Sequence, residues 1–584
     1  MPGLIQPTVG NASPTTAPAT APTTAPATTS APPGARGRTR RGSRRRILCV
    51  FPAYAHSFGT FQHAYPLLGV QAFMPPQGLL LIAGYLPEAW QVRFVDENIR
   101  PVRDRELQWA DAVLISGMHV QRAKIERINR RAQAFGRLTV LGGPSVSACP
   151  EYYRDVDMLH VGELGDATDA LIDRLDFGVE RPAEQIVYRT DQRLAMDAMP
   201  MPAYHLVDLR RYFLASVQFS SGCPFMCEFC DIPALYGRRP RFKSPERICR
   251  ELDALVSRGL RGAVYFVDDN FIANPAAARQ LLPALIDWQR RHGYKVRFSC
   301  EATLNLAQMP DVLAQMQQAG FTACFCGIET PEPDALAAMR KKQNMRQPIL
   351  ESVKAFNDHG IEVVSGIILG LDTDTPDTAG RIVEFIDQSR IPLLTINLLY
   401  ALPRTPLYER LAAAGRLTDE PGRASNVRFK LPDDQVMEMW RRCIDRAYEP
   451  ARLYERFRDQ ARRTFPNRVS FDRRVGVRDV AYGASVLSRV LWHVGVKADY
   501  RRHFWSVAGP LLKTGRVADA IHVGTVSHHL IRFARQTRTG EAEAAFYADP
   551  NRVEVTPRRA DRRRSEPMHT DAHAPGRRRE RHRV

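Results

Sequence analysis

From Ile47 to about residue 430 the sequence alternates short apolar runs with longer amphipathic stretches. Strands buried on both faces read as such runs, and each needs a helical crossover before a parallel neighbour can follow. The pattern therefore confines the chain to a parallel α/β architecture. The first series is ILCVF, WQVRFVDENI ending in Asp96, DAVLISGM ending near Ser116, LTVLGGPS with its glycine pair, and VDMLHVGELG. Helical stretches lie among them: HVQRAKIERINRRAQAFG closes at Gly136, and DATDALIDRL follows the last run. This predicts a doubly wound sheet over 47–178, with ligands at the carboxyl ends of its strands. The Pro-punctuated PMPAYHL marks a linker over 179–215. The second series is SVQFSSG, GAVYFVDD, KVRFSCEA, TACFCGIET, EVVSGIILG and LLTINLLYALP. These six strand–helix units predict a partial (β/α)6 barrel over 216–430. From 431 to 548 strands give way to helical periodicity.

The two ends differ in kind. Residues 1–46 are an Ala/Thr/Pro repeat followed by RGRTRRGSRRR, and 549–584 are Arg-rich; both compositions predict disorder. Residues 1–46 hold seven Arg and no acid, and 552–584 hold eleven Arg against five acids. The ends thus carry 13 of the 19 net positive charges, and the basic balance does not describe the folded middle. That argues against a nucleic-acid-binding core. No apolar run is long enough to span a bilayer, and the N-terminal stretch lacks the basic and apolar regions of a secretory signal. Ten cysteines in 584 residues are too few for a disulfide scaffold, so the expected location is the cytoplasm.

Three of those cysteines stand together. SSGCPFMCEFCDIPALYGRRPR places Cys223, Cys227 and Cys230 as CxxxCxxC in the turn after a strand. Ten cysteines scattered over 584 positions would give this spacing with a probability of about 0.003. Three thiolates hold three irons of a [4Fe–4S] cluster and leave the fourth open, whereas structural zinc wants a fourth protein ligand. A zinc site lacking that partner, or three unliganded thiols, are the alternatives.

With this motif the chain resembles the radical S-adenosylmethionine (SAM) enzymes. The resemblance implies that SAM chelates the open iron and is cleaved to a 5′-deoxyadenosyl radical that abstracts hydrogen. It implies an aromatic near the adenine, matched by Phe229, and polar residues near the SAM amino group at the end of the second barrel strand, matched by Asp268 and Asp269. It implies a GxIxG strand beside the adenine, matched by Gly366, Ile368 and Gly370. Glu301 and Glu329 also point to the barrel mouth, as cofactor or substrate contacts or as structural ion pairs. Cys324 and Cys326 share one strand face and read as core thiols.

A Rossmann-like domain before such a barrel resembles the cobalamin-dependent class. Cobalamin domains often carry DxHxxG after the first strand. In YAHSFG, His56 and Gly59 fit, but Tyr54 stands where the orienting Asp belongs, which favours loop packing over cobalt ligation by His56. The resemblance places Ser116, Gly117 and Met118 (ISGM) and Gly142 and Gly143 (LGGPS) around the cobalamin nucleotide tail, and implies that Gly162 and Glu163 (GELGD), after the last strand, are cofactor-binding. Absence of GxGxxG argues against NAD.

Three segments are similar to the hopanoid C-2 methylases: SFGTFQHAYPLLGVQAFMPPQGLLLIAGYLPE, CEFCDIPALYGRRPRFKSPE, and GIILGLDTDT with TINLLYALPRTPLYERL. The resemblance covers residues 47–450. It implies C-methylation of an unactivated carbon of a hopanoid lipid, with two SAM molecules per cycle, cobalamin as methyl carrier, and an electron donor such as ferredoxin or flavodoxin. Methylation or ring closure on another lipid, polyketide or tetrapyrrole is the alternative. Aromatic and basic residues in DVAYGASVLSRVLWHVGV and HFWSVAGPLL fit either a peripheral contact with the inner membrane or ordinary helix packing.

Overall fold

β1 (Arg46–Phe51) is buried from its second residue to its last. It pairs on both sides, with β2 (Gln91–Asp96) and with β3 (Ala112–Ser116). The computed structural model describes residues 44–542 except 261, 421–422 and 470–475. The tails expected at 1–46 and 549–584 lie outside these residues apart from Arg44–Arg46. Arg46 itself opens β1, where its guanidinium sits 2.6 Å from the Asp111 carboxylate.

The first sheet is wholly parallel, in the order β2-β1-β3-β4-β5-β6, with β4 (Leu138–Gly142), β5 (Met158–Val161) and β6 (Ile186–Arg189). Chain direction across the sheet reverses between β1 and β3. Their carboxyl ends therefore flank a crevice open to ligands. β6 lies inside the segment read as a linker; its side chains are at most half-buried, so IVYR lacks a strand's apolar signature. The rest of that segment runs across the helix Gln77–Tyr85. There a side chain on Gly84 would stand 2.3 Å from the Met201 carbonyl oxygen, so only glycine admits this contact.

The second sheet is also parallel and its order is strictly sequential: β7 (Leu214–Val217), β10 (Gly262–Phe266), β11 (Val296–Glu301), β12 (Phe321–Glu329), β13 (Glu362–Leu369) and β14 (Leu393–Leu398). A minor antiparallel pair, β8 (Ser220–Ser221) with β9 (Arg241–Phe242), follows β7. Six parallel strands in sequential order, with the first and last not paired to each other, are those of a barrel left open. Cys324 and Cys326 are fully buried with sulfurs 3.7 Å apart, and Cys300 lies 3.8 Å from Cys324. They pack in the hydrophobic core.

Beyond β14 the chain is helical, and its longest helix is Val517–Thr539. Among the described residues no helix is long and apolar enough to cross a membrane. The helices share one continuous apolar core with the barrel. Polar ties reinforce it: Trp440 Nε1 donates to the Ile396 carbonyl at 2.9 Å. Buried Glu362 on β13 faces His522 Nε2 at 2.8 Å and Arg468 at 3.5 Å, and Arg468 also holds Asp519 at 3.0 Å. Burial alone would raise the Glu362 pKa, but its contacts with His522 and Arg468 outweigh that and hold the group below the usual range. Removing one partner of such a buried network strands the other charges. Arg468→Ala should lower stability by roughly 3 kcal/mol, read as a drop in the thermal midpoint. Arg279→Ala, which breaks the half-exposed pair with Asp311, should leave the midpoint unchanged.

Candidate active site

The three cysteines sit on a loop pinned at both ends. Gly222 turns the chain with φ +95°, and a Cβ there would meet the Gly237 carbonyl at 2.9 Å. Cys223 N donates to that same carbonyl at 3.2 Å, and Gly222 N donates to Asp269 Oδ2 at 2.7 Å. Ser220 N donates to Asp268 Oδ1. The cysteine loop is thus hung on the carboxyl end of β10. As whole residues all three are only partly buried, while most of the other cysteines are buried. Burial raises the pKa of Cys223 and of Cys230, and the neighbouring thiols add to it. Thiols held neutral in this way become thiolates when a metal supplies positive charge. Buried Gln343 aims its amide at Cys227 Sγ, 3.3 Å away, a donor suited to a sulfur carrying negative charge. Among the described residues no three His, Cys, Asp or Glu converge on a single ion. A cluster whose irons each take one thiolate needs no such convergence, and these residues fit it.

Beside the loop, Glu329 adopts φ +69° where the β12–β13 register shifts. It pairs with buried Lys341, whose Nζ stands 5.3 Å from the Phe229 ring centroid. Phe229 packs in one apolar cluster with Ile368. Gly366 has Thr395, Phe325 and Glu329 at ordinary contact distance from a notional Cβ. Gly370 serves the protein's own packing: at φ +89° a side chain there would meet the Phe429 ring at 2.4 Å.

A cavity of about 840 Å³ lies between the carboxyl ends of the two sheets. The first domain lines it with His56, Gly59, Ser116, Gly117, Met118, Gly142, Gly143, Gly162 and Glu163. The barrel contributes Asp269, Glu301, Phe325, Thr395 and Asn397. Sequence-assigned residues from both domains therefore meet in one space. The cysteines, Phe229, Asp268, Gly366, Ile368 and Gly370 do not line it. Small residues are required here for internal reasons too. Gly143 has φ +96°, and its Cβ would lie 2.6 Å from Ser116 Oγ. Glu163 is engaged by the protein itself, with Arg241 at 2.5 Å, Arg193 at 3.0 Å and the Ser221 hydroxyl at 3.0 Å.

Three carboxyls gather at the ends of β10 and β11. Burial pushes Asp268 up to about 7, with the hydrogen bonds from Ser220 opposing, and one of its oxygens has no partner. Burial raises Asp269 to about 6, and nearby Glu163 and Asp231 add to it. Glu301 accepts from Tyr265 Oη at 3.1 Å, yet burial still takes it to about 7. A cation placed among these groups relieves the cost of ionising them.

Sequence reasoning missed several residues of this region. Thr395 and Asn397 were visible as polar positions in the otherwise apolar strand LLTINL. Lys341 and Gln343 come from a loop with no local signal. Phe533, which also lines the cavity, belongs to the helix Val517–Thr539.

A model of the Radical SAM superfamily matches residues 217–386, and one of a domain of unknown function matches 405–543. The chain is 54% identical to a hopanoid C-2 methylase of Rhodopseudomonas palustris over 86% of this chain and 96% of that one. Two solved structures share its fold. One is the radical S-adenosylmethionine methyltransferase TsrM of Kitasatospora setae with cobalamin and [4Fe–4S] cluster bound (TM-score 0.51, 16% identity, 65% of this chain and 80% of that one). The other is the cobalamin-dependent S-adenosylmethionine radical enzyme OxsB with aqua-cobalamin and S-adenosylmethionine bound (TM-score 0.53, 12% identity, 85% and 80%).

The raised Glu301 pKa has a signed consequence. A carboxyl whose folded pKa is about 7 and whose unfolded pKa is about 4.3 costs the fold stability progressively as pH rises between those values. Glu301→Gln carries no such cost. Without SAM, its thermal midpoint should exceed that of the wild type at about pH 8 and converge with it toward about pH 5. Midpoints that stay parallel across this range would contradict the burial assignment.

Proposed function

This chain belongs to the hopanoid C-2 methylase family of radical SAM enzymes, and from that premise we propose that it methylates C-2 of a hopanoid lipid. The observation that carries this reading is the 54% identity extending over 96% of the relative's length, tails excepted. The cavity between the two domains gives the cofactors and a substrate one shared space in which to meet.

The substrate carbon is an alkane carbon, which no side chain here can deprotonate. When bound, the [4Fe–4S] cluster, SAM and cobalamin supply together a hydrogen-abstracting radical and a methyl group that a carbon radical can accept. The chain binds, orients and excludes water. Cys223, Cys227 and Cys230 hold the cluster, with Gln343 donating to Cys227. Asp268, Asp269 and Glu301 take the SAM ammonium, whose positive charge offsets the burial that raises their pKa values. Phe229, Gly366, Ile368 and Gly370 border the adenine. Ser116, Gly117, Gly142, Gly143 and Gly162 border the cobalamin nucleotide tail, and Glu163 closes the wall between the two sites. Reducing equivalents come from a small carrier of the ferredoxin or flavodoxin kind, in the cytoplasm.

Hopanoid mass spectrometry of a deletion strain and its complement tests the proposal. The 2-methyl products should vanish in the first and return in the second; products retained on deletion would end the assignment. Cys227→Ala should lose the iron–sulfur absorbance after anaerobic reconstitution, together with reductive SAM cleavage. Gly143→Leu forces a branched side chain into a position that already has φ +96° and 2.6 Å of clearance. It should copurify with little cobalamin while keeping the cluster absorbance of the wild type.

A further inference from the structure

The helix Val477–Val490 runs straight into a π-helical segment, Leu491–Val496, and the chain then turns into the helix Arg501–Lys513. Residues four apart share a helix face. Here that row is Val480, Ala484, Ser488, Trp492 and Val496, and every one is exposed. Val480 is 58% exposed, and Trp492 and Val496 are 52% each. Trp505, 41% exposed, joins them from the next helix. Its Nε1 donates to the Gly495 carbonyl at 2.9 Å, and its ring lies 3.0 Å from where a Cβ on Gly495 would stand.

No charge interrupts the row, and cations flank it. Lys497 Nζ stands 5.1 Å from the Trp492 ring centroid, and Arg501 and Arg502 are exposed. Between Val477 and Arg516 the sequence has seven Lys or Arg against two Asp. One of those, Asp499, is committed to Arg535 at 2.7 Å. Aromatic rings with an apolar body and a polar edge, set among cations, suit the boundary between lipid headgroups and acyl chains.

We infer that this face docks on the surface of an anionic phospholipid bilayer, with Trp492, Val496 and Trp505 entering the headgroup boundary and the flanking cations meeting lipid phosphates. Its place in the fold supports this occupant over a protein partner. Tyr482 Oη donates to the Leu68 carbonyl at 2.9 Å, and Arg489 reaches the Pro66 carbonyl at 3.4 Å. Both carbonyls belong to the short helix Tyr65–Leu68, just after residues 57–60, which line the cavity. The docking face is therefore joined to the cavity wall through one short helix. The choice of a bilayer rests in part on the reading that the substrate is a lipid.

The test uses the full chain with its cofactors, sedimented with phosphatidylcholine vesicles carrying phosphatidylglycerol. Trp492→Glu and Val496→Glu should each lower the partition coefficient about tenfold, while Trp492→Tyr keeps it and high salt weakens wild-type binding. Turnover of detergent-dispersed hopanoid should be the same in Trp492→Glu as in the wild type. Binding of Trp492→Glu equal to wild type overturns the proposal and leaves vesicle affinity to the Arg-rich ends. Wild-type binding equally strong to phosphatidylcholine alone overturns it as well. Absence of turnover in every form, with the vesicle result intact, would instead strike the lipid-methylase reading and leave the docking face standing.

Discussion

Glu163 ties the two parallel sheets together. It leaves the carboxyl end of the first sheet and receives Arg241 and the Ser221 hydroxyl, both beside the cysteine loop, together with Arg193 from the connecting segment. The pair is largely shielded from water, so screening does little to weaken it. Its charge balance also reaches Asp269, whose carboxyl feels Glu163 as a second negative neighbour. Loss of Arg241 would leave Glu163 with Arg193 as its arginine partner. The cavity lies beside this junction, and Glu163 is part of its wall. The cysteine loop is placed next to it by separate contacts, Gly222 on Asp269 and Ser220 on Asp268.

Electrostatically the site is prepared for positive partners. The carboxyls at the ends of β10 and β11 and the thiols of Cys223 and Cys230 are held toward their neutral forms by desolvation. Each is costly to ionise alone and easy to ionise beside a cation or a metal. Lys341, by contrast, has its carboxylate partner in Glu329, so the one buried cation placed near Phe229 is already balanced. Such an arrangement lets incoming groups set the protonation of the site.

Much of this was legible in the sequence, for a physical reason. Parallel strands buried on both faces leave uninterrupted apolar runs, and ligands gather where those runs end. Hence the strands of both series, the cysteine triad and the residues at strand ends could be found without coordinates. β6 escaped because a short, half-exposed edge strand has no such run. Lys341, Gln343 and Phe533 escaped because tertiary packing alone carries them to the site. Gly370, read as room for a flat ligand, also makes room for the Phe429 ring. Glu163 is similar, since it faces the cavity and is simultaneously held by arginines.

The wall that Phe533 gives the cavity comes from the end of the described chain. Its ring packs edge-on against Phe58 at 4.7 Å, and His529 lies 3.1 Å from the Phe58 carbonyl, a contact spanning 471 residues of sequence. Contacts of such separation form late, after both sheets have had time to assemble. During synthesis, then, the ribosome has released the cysteine loop and both sets of strand ends while this side of the cavity still stands open. The long helix Val517–Thr539 closes that side only after both sheets are in place, so a bulky cofactor admitted earlier would be enclosed by it.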